Sequence, residues 1–355
     1  MIPFLYFKRS VLFIGFFTLI LAFPSCENKI VSESENASNV TITDPLPSWK
    51  DGETRQSIID FVKAISDTNG RDFIPIEDRI ACFDNDGTLW SEKPFYFQLF
   101  FAIDRVKEMA VDHPEWKDLQ PYKSILEDDI ETFSTFGEHG IIEIVMASHT
   151  GMSPDEFELI VKNWLKNSRH PRFDRPFSDL VYQPMLELLA YLSENEFKCF
   201  IVSGGGIEFM RPWVEEVYGI PKNQVVGSSI KTELIYKDSI PEIIRLAQLD
   251  FINDKDEKPL GINKFIGRRP VFTVGNSDGD LAMLKWTSAG EGKRMMIYVH
   301  HTDSIREWAY DRTSSIGRLN NGLDEARRKN WTIINMKEDW KLVYPFEIKD
   351  VIKTK

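Results

Sequence analysis

The most informative stretch of this chain is an apolar run that ends in two acidic residues, Cys82-Phe83-Asp84-Asn85-Asp86-Gly87-Thr88-Leu89. The run from Ile80 to Phe83 predicts a short buried strand. Gly87 allows the backbone to turn sharply at the strand end, so that the two aspartates can converge on one centre. Such a pair suits a metal-assisted reaction in which one carboxylate attacks and the other moves a proton. A solvated Asp-Asn-Asp-Gly turn is the simpler alternative.

The composition limits the partners of this chain. It has 355 residues, of which 42% are hydrophobic and 28% are charged, as in ordinary globular proteins. Its formal net charge of −12 argues against a nucleic acid or an anionic membrane surface as the main target. A phosphate site would therefore have to be locally positive. Cys82 and Cys199 lie in apolar runs, so we expect no disulfide framework.

The first 50 residues have the features of an export signal and a tether. Residues 1–25 combine a basic pair with an apolar run, which is typical of a signal peptide. Ser25-Cys26 resembles the cleavage site of a bacterial lipoprotein with a lipid on Cys26, and a plain secreted protein is the alternative. Residues 26–50 predict a flexible tether. We therefore expect an exported protein, periplasmic or on the cell surface, that contacts a membrane only through the lipid on Cys26.

The remainder of the chain alternates between helices and strands. We expect strands at residues 80–83, 198–202, 224–226, 270–274, 295–299 and 331–334. This alternation predicts an α/β fold, a Rossmann-like parallel sheet with helices on both faces. Residues 51–90 and 179–355 are predicted to form this core domain. Residues 91–178 predict a helical cap that is inserted after the first strand and could close over the site.

Two further motifs are expected at the carboxyl edge of the predicted sheet. Ser203-Gly204 follows the strand at 198–202, and a hydroxyl group with exposed backbone N–H groups binds phosphate oxygens. Lys258 precedes Pro259, which suits the first turn of a helix that begins at the same edge of the sheet. A cation there would neutralise phosphate charge, and we favour Lys258 over Lys264, which would lie further along the helix. A bare turn and a solvated surface lysine are the alternatives.

The later strand ends carry acidic and histidine side chains. The segment Val274-Gly275-Asn276-Ser277-Asp278-Gly279-Asp280 places several oxygen ligands close together, which suits Mg²⁺. It could also be an Asp-rich helix cap, whereas a calcium loop is disfavoured because its closing Glu is missing. His300 and His301 follow the strand at 295–299, and we regard them as candidates for contacts with a substrate.

The order and spacing of these motifs resemble the haloacid dehalogenase (HAD) superfamily of phosphotransfer enzymes. The resemblance spans about residues 79–300 and rests on the motifs that contain Asp84, Ser203, Lys258 and Asn276. The position of the insertion, between the first and second motifs, is similar to that in the phosphoserine phosphatase group with its helical cap. The resemblance implies a Mg²⁺-dependent phosphatase that hydrolyses a phosphate monoester of a small metabolite.

The same resemblance implies a role for each motif residue. Asp84 would be the nucleophile that forms an aspartyl-phosphate, and Asp86 would be the general acid and base. Mg²⁺ would be held by Asp84, Asp86 and the fourth motif, through Asn276 and Asp280. The substrate and its phosphate would be bound by Thr88, Glu92, Ser203, Gly204 and Lys258. The chain departs from the family at Asn276, where an Asp is frequent. Asp278 or Asp280 would therefore contribute more to the coordination of the metal.

Three rival functions could share this scaffold. A catalytically silent, ligand-binding lipoprotein could have this scaffold, although binding alone does not need the second acid, Asp86. A pyrophosphatase or a phosphotransferase would use the same core and the same acids. The phosphatase is the main hypothesis, because an Asp at position 86 fits the phosphatase branch of the family that the motifs resemble.

Overall fold

The structure of the protein is a computed structural model, and it describes residues 44–348. The predicted signal peptide, the lipid on Cys26 and the tether between residues 26 and 43 lie outside the described residues. Among residues 44–348, no helix is long and apolar enough to cross a membrane.

Residues 44–50 were assigned to the tether by their sequence, but they pack against the core. Leu46 and Trp49 are fully buried. The Trp49 indole donates a hydrogen bond to the Pro184 carbonyl oxygen (2.9 Å), and its ring packs edge-on against Trp340. The tether prediction was therefore wrong for these residues, because two large apolar side chains find partners in the core.

Seven strands within residues 44–348 form one sheet. They are β1 (Ile80–Phe83), β2 (Lys198–Gly206), β3 (Val225–Lys237), β4 (Ile240–Phe251), β5 (Phe272–Gly275), β6 (Met295–His300) and β7 (Thr332–Asn335). Their order across the sheet is β4-β3-β2-β1-β5-β6-β7. Every neighbouring pair is parallel except β3 and β4. The predicted α/β fold with a parallel sheet is confirmed.

The α-helices of residues 44–348 surround this sheet. In chain order they are α1 (Glu53–Ser66), α2 (Phe97–Met109), α3 (Tyr122–Leu126), α4 (Ile130–Thr135), α5 (Gly137–His149), α6 (Pro154–Asn167), α7 (Gln183–Glu194), α8 (Ile207–Met210), α9 (Val214–Tyr218), α10 (Glu257–Phe265), α11 (Leu281–Ser288), α12 (Asn321–Lys329) and α13 (Met336–Asp339). Side chains of β1 alternate between two hydrophobic clusters: Ala81 and Phe83 belong to one, and Ile80 and Cys82 to the other. Both faces of the sheet are therefore covered.

The centre of the sheet determines where the polar motifs meet. β1 lies between β2 and β5 and is parallel to both. Because parallel strands end at the same edge, the residues that follow β1 and β5 come together with the polar end of β2. This edge is the place that the sequence predicts for the site.

Helices α2 to α6 lie within the segment predicted to be a cap. The outer helices enclose a hydrophobic cluster of their own, which includes Leu99, Trp116 and Ile144. The base of the cap differs, because Phe101 of α2 and Trp164 of α6 belong to the main cluster of the core. The cap therefore cannot lift away as a unit without opening this aromatic packing.

A long hairpin of β3 and β4 is the main element that the sequence analysis missed. The predicted strand at 224–226 was too short, since β3 continues to Lys237 and pairs with β4. The strands are joined at Asp238-Ser239, where both residues have positive φ. Such a turn usually contains glycine, so its sequence signal is weak here. The Arg245 amide donates to the Met152 carbonyl oxygen (3.0 Å), so the hairpin also contacts the cap.

Candidate active site

The turn after β1 holds the two predicted catalytic acids in place. The Asp84 amide donates to the Val274 carbonyl oxygen in β5 (2.9 Å). Gly87 has a φ of 71°, and its amide donates to the Trp90 carbonyl oxygen (2.8 Å). A Cβ atom at Gly87 would overlap the Asn276 side chain. Both the backbone conformation and the available space therefore require glycine at this position.

Lys258 contacts two buried aspartates. Its Nζ donates to Asp84 Oδ1 (2.7 Å) and to Asp280 Oδ1 (2.6 Å), and all three side chains are buried. Lys264 lies instead over two phenylalanine rings. Lys258, and not Lys264, therefore supplies the cation expected beside the acid pair.

Positive charge does not fully compensate the buried acids. Burial and the negative charge of Asp280 raise the pKa of Asp84 to about 8, although Lys258 acts in the opposite direction. Burial raises the pKa of Asp86 to about 6 and raises the pKa of Glu92 well above its usual range. Burial alone would lower the pKa of Lys258, but the charges of Asp280 and Asp84 raise it. The site therefore has more carboxylates than cationic groups, and a bound cation would balance the excess negative charge.

Asp86 is held by an indole group. Trp90 Nε1 donates to Asp86 Oδ1 (2.8 Å). The Trp90 ring stacks on Trp213 with the ring centroids 4.3 Å apart, and it contacts Phe97 edge-on. The two acids of the pair thus have different neighbours, an ammonium group for one and a neutral indole for the other. Sequence reasoning missed Trp90, and its place four residues after Asp86 is the only signal that could have found it.

The end of β2 forms a polar, glycine-rich wall. Ser203 is buried, and its Oγ accepts a hydrogen bond from the Gly205 amide (3.0 Å). The Gly206 amide donates to Oε1 of Gln98 in the cap (2.7 Å). Gln98 Nε2 is 3.1 Å from His149 Nε2. Gln98 therefore links the cap to the glycine segment, a contact between distant parts of the chain that no local pattern indicates.

The fourth motif is organised around the Asn276 amide. Its Nδ2 donates to Glu92 Oε1 (2.7 Å), and its Oδ1 accepts a hydrogen bond from Thr88 Oγ1 (3.3 Å). Glu92 also accepts a hydrogen bond from the Tyr310 hydroxyl (2.7 Å). Thr88 is fully buried, so the expectation that it binds phosphate is corrected. It orients the Asn276 side chain instead.

Asp278 and Asp280 both have partners within the protein. Asp280 is fully buried; one carboxylate oxygen accepts hydrogen bonds from two amides of its own loop, and the other accepts one from Lys258. Asp278 Oδ1 accepts hydrogen bonds from two amides near the start of α12. Both oxygens of Asp280 and Oδ1 of Asn276 have partners within the protein. That Asp280 and Asn276 hold a metal therefore stays a prediction.

A cavity of about 350 Å³ lies between the sheet edge, the cap and the β3–β4 hairpin. The predicted site residues on its wall are Asp84, Asp86, Glu92, Ser203, Gly204 and Lys258. Thr88, Asn276 and Asp280 lie behind this wall. Three further wall residues, Gln98, His149 and Arg245, were not identified from the sequence. The structure therefore brings most of the predicted residues to one cavity. The cap and the hairpin form the rest of the cavity wall.

The two adjacent histidines lie outside the wall of this cavity. His301 Nε2 is 2.7 Å from the Gly87 carbonyl oxygen, and its Nδ1 is 3.1 Å from Glu307 Oε2. His300 Nε2 is 3.3 Å from Asp311 Oδ2. The expectation that they contact a substrate was wrong, because His301 contacts the turn after β1 from outside the cavity and His300 pairs with Asp311.

The groups that could hold a metal at the sheet edge are oxygen ligands. The Asp84 carboxylate, the Asp86 backbone carbonyl and the Asn276 amide are hard ligands of the kind that Mg²⁺ takes in small number. In the part of the chain that the structure describes, no three His, Cys, Asp or Glu side chains are grouped as a metal site. A cation here would therefore depend on carbonyl and amide oxygens as well. The excess of buried negative charge fits such a cation.

An acid pair at the carboxyl edge of a parallel sheet, beneath a helical cap, is the arrangement of a capped α/β enzyme that uses carboxylate chemistry. Comparison with protein families agrees with this class. The model of haloacid dehalogenase-like hydrolases matches residues 81–285, and the chain belongs to this family. The family resemblance inferred from the sequence motifs is therefore confirmed.

Several solved structures are similar to this chain. A protein with unknown function from Bordetella pertussis has 14% identity and a TM-score of 0.46, with 73% of this chain and 98% of that chain covered. A conserved protein from Anaerococcus prevotii has 16% identity and a TM-score of 0.46, with 79% and 91% covered. A phosphoserine phosphohydrolase-like protein from Francisella tularensis has 16% identity and a TM-score of 0.35, with 62% and 87% covered. No curated protein matches the chain.

Proposed function

We propose that this chain is a Mg²⁺-dependent phosphatase that hydrolyses a phosphate monoester through an aspartyl-phosphate. The observation that carries the proposal is the difference between two acids on one cavity wall. Asp84 is paired with Lys258, whereas Asp86 accepts a hydrogen bond from the neutral Trp90 indole. A nucleophile and a separate acid–base group need environments that differ in this way.

The first step would transfer the phosphoryl group to the protein. A carboxylate oxygen of Asp84 attacks phosphorus, and the bond from phosphorus to the leaving oxygen breaks. Protonated Asp86 gives its proton to that leaving oxygen, which departs as an alcohol. A pKa of about 6 allows Asp86 to be protonated in one step and ionised in the next.

The second step would release phosphate. Ionised Asp86 takes a proton from a water molecule, and the water oxygen attacks phosphorus. The bond between phosphorus and the Asp84 oxygen breaks, which regenerates the carboxylate and frees inorganic phosphate. The Ser203 hydroxyl, the Gly204 amide and the Lys258 ammonium group would hold the phosphoryl oxygens during both steps.

Mg²⁺ would be held by the Asp84 carboxylate, the Asp86 carbonyl oxygen and the Asn276 amide oxygen. When bound, the ion would supply positive charge that stabilises the phosphoryl oxygens in the transition state. The raised pKa values of Asp84 and Asp86 support this assignment, because burial penalises their negative charge, Asp280 adds to it, and a bound cation would compensate it.

The test is hydrolysis of 4-nitrophenyl phosphate with Mg²⁺ and with a chelator. We expect turnover that the chelator abolishes, no turnover for Asp84→Asn, and a loss of about 100-fold or more for Asp86→Asn. Asp112→Asn changes an exposed aspartate and serves as the control with wild-type activity. Turnover by the Asp84→Asn variant would exclude Asp84 as the nucleophile.

The same assay separates the rival functions. Binding of inorganic phosphate without hydrolysis of any ester would support a silent binding protein. Transfer to an added alcohol acceptor, at the expense of free phosphate, would support a phosphotransferase. Preferential release of phosphate from inorganic pyrophosphate would support a pyrophosphatase.

We also propose that the protein is exported and anchored by a lipid on Cys26. The basic and apolar residues before Ser25-Cys26 support this proposal. Incorporation of labelled palmitate by the full chain in a bacterial host, and its loss in Cys26→Ser, is the expected result. Equal labelling of both chains would contradict it.

A further inference from the structure

Parts of the cavity wall are apolar. They are contributed by α5 of the cap on one side and by the hairpin and the residue after it on the other: Ile141, Ile142, Val145, Ile230, Leu249 and Ile252. Leu249 and Ile252 are 37% and 41% exposed. An apolar group in the cavity would remove such surface from water, which is favourable.

One buried cation lies on this wall, and it is Arg245 of β4. It is 3% exposed, its Nε donates to the His149 carbonyl oxygen (2.7 Å), and its guanidinium lies over the Phe157 ring. Its Nη1 has no hydrogen-bond partner among residues 44–348. Glu208 Oε2 is 3.9 Å from Nη1, which is within ion-pair distance but too far for a hydrogen bond, and Glu208 Oε1 accepts a hydrogen bond from Arg211 (2.9 Å).

A buried donor without a partner is unusual and costs free energy. Most buried polar groups in proteins have a partner, and an exception of this kind calls for an explanation. Burial lowers the pKa of Arg245 to about 10, so the group keeps its charge at neutral pH. An anionic oxygen of a ligand would satisfy Nη1 and compensate the buried charge.

The remaining charges around the cavity limit which anion fits. Glu138 and Glu208 are also on the wall. A dianionic group such as a second phosphate would meet more repulsion from these acids than a carboxylate would. Among anionic groups, the surroundings of Arg245 therefore favour a carboxylate.

We propose that the substrate of this chain is a phosphate monoester whose leaving group has an apolar body and a carboxylate, and that Arg245 binds the carboxylate. This inference rests on the proposed phosphatase function and names the substrate class of the same cavity. A small polar ester such as phosphoserine lacks the apolar body and would leave the walls formed by α5 and the hairpin uncovered.

The decisive test uses the wild-type protein and matched aryl phosphates. 4-(Carboxymethyl)phenyl phosphate and 4-ethylphenyl phosphate have similar leaving oxygens, because a methylene group separates the carboxylate from the ring. We expect kcat/KM to be about 10- to 100-fold higher for the carboxymethyl compound, as for a hydrogen bond to a charged group. We also expect it to exceed the values for L-phosphoserine and for the phosphonomethyl analogue.

Variants then attribute the preference to Arg245. Arg245→Met and Arg245→Lys should each reduce the ratio of the two kcat/KM values, the Met variant to near one. Arg105→Met is the control, because Arg105 pairs with Glu108 in the cap and is not on the cavity wall; it should keep the wild-type ratio. Circular dichroism and the melting temperature show whether each variant is folded.

Each outcome has a distinct meaning. Equal kcat/KM values for the carboxymethyl and ethyl compounds would overturn the carboxylate site and leave the phosphatase proposal intact. A higher value for L-phosphoserine would overturn the apolar leaving group. A higher value for the phosphonomethyl analogue would overturn the choice of carboxylate. Hydrolysis of none of the esters would overturn the phosphatase proposal and this inference together.

Discussion

His301 Nε2 lies 2.7 Å from the carbonyl oxygen of Gly87, the residue that turns the chain behind the acid pair. The other ring nitrogen faces Glu307 Oε2 at 3.1 Å. Each ring nitrogen therefore lies within hydrogen-bond distance of an oxygen atom. The His301 ring also stacks on Tyr310, whose hydroxyl donates to Glu92. A segment beyond the residues matched by the family model therefore supports the catalytic turn.

Replacement of His301 tests this support. We expect His301→Gln to lower kcat by about 10- to 100-fold, as for partners that orient active-site groups from behind, and to leave KM unchanged. Steady-state kinetics of the folded variant measure both constants. His300→Gln is the control, because His300 pairs only with Asp311 near the surface. A raised KM with an unchanged kcat would instead indicate that His301 contacts the substrate.

Lys258→Met should destabilise the protein as well as inactivate it. The change leaves the carboxylates of Asp84 and Asp280 buried without their ammonium partner. Loss of one partner of a buried ion pair lowers the free energy of unfolding by about 3–5 kcal/mol. Urea unfolding of Lys258→Met and of Lys264→Met, a lysine on the same helix, makes the comparison. The Lys264 variant should change by about 0.5 kcal/mol or less, and an equal loss in both would contradict the assignment.

Asn276→Asp should weaken the site rather than improve it. The Asn276 amide donates to Glu92 Oε1 at 2.7 Å. Aspartate removes this donor and places a second carboxyl group against Glu92, whose pKa burial already raises. We expect the free energy of unfolding to fall by about 1–3 kcal/mol. Adding Glu92→Gln places an amide opposite the new carboxylate and should recover most of the loss. A double-mutant cycle measures this coupling, and strictly additive effects would refute it.

His149 should make the protein less stable in acid. Burial, and then the charges of Arg245 and Arg105, lower the pKa of His149 from the ordinary 6.5 to about 3. The unfolded chain therefore binds a proton that the folded chain does not. Its contribution to stability is complete above about pH 6.5 and is lost as the pH falls toward 3, by about 1.4 kcal/mol per pH unit.

The pH dependence of unfolding in urea checks this expectation. His149→Asn should have a flatter profile between pH 6.5 and 3 than the wild type. His139→Asn changes an exposed histidine on the same helix and should keep the wild-type profile. Identical slopes for the wild type and His149→Asn would mean that His149 accepts a proton in the folded protein.

Trp49→Ala should show that the core begins before residue 50. Trp49 is fully buried, stacks edge-on with Trp340 and donates a hydrogen bond to Pro184. Truncation of a buried tryptophan costs about 3–5 kcal/mol. Thermal or urea unfolding measures the loss, and Val111→Ala, at a side chain that is 86% exposed, is the control. A loss as small as that of the control would mean that Trp49 does not stabilise the core and that residues 44–50 belong to the tether.

Some elements could be predicted because their signal is local. β1 has the bounds that its apolar run indicates, and β6 and β7 agree to within about a residue, which is the usual precision of strand ends. Buried parallel strands are short apolar runs that stop at polar loops, and this pattern does not depend on the rest of the chain. The hairpin was missed because its strands carry many exposed residues and its turn lacks glycine.

The fold class, the positions of Asp84 and Ser203 near strand ends and that of Lys258 in the first turn of a helix follow from the sequence alone. That information is local, because a strand end places the next polar residue at the edge of the sheet. The tertiary structure is needed to show that Asp280 and Thr88 have hydrogen-bond partners within the protein. It is also needed to place Arg245 on the cavity wall and His301 against the turn after β1. Hydrogen bonds between distant segments depend on which atoms face each other after packing, and no local pattern of residues records that.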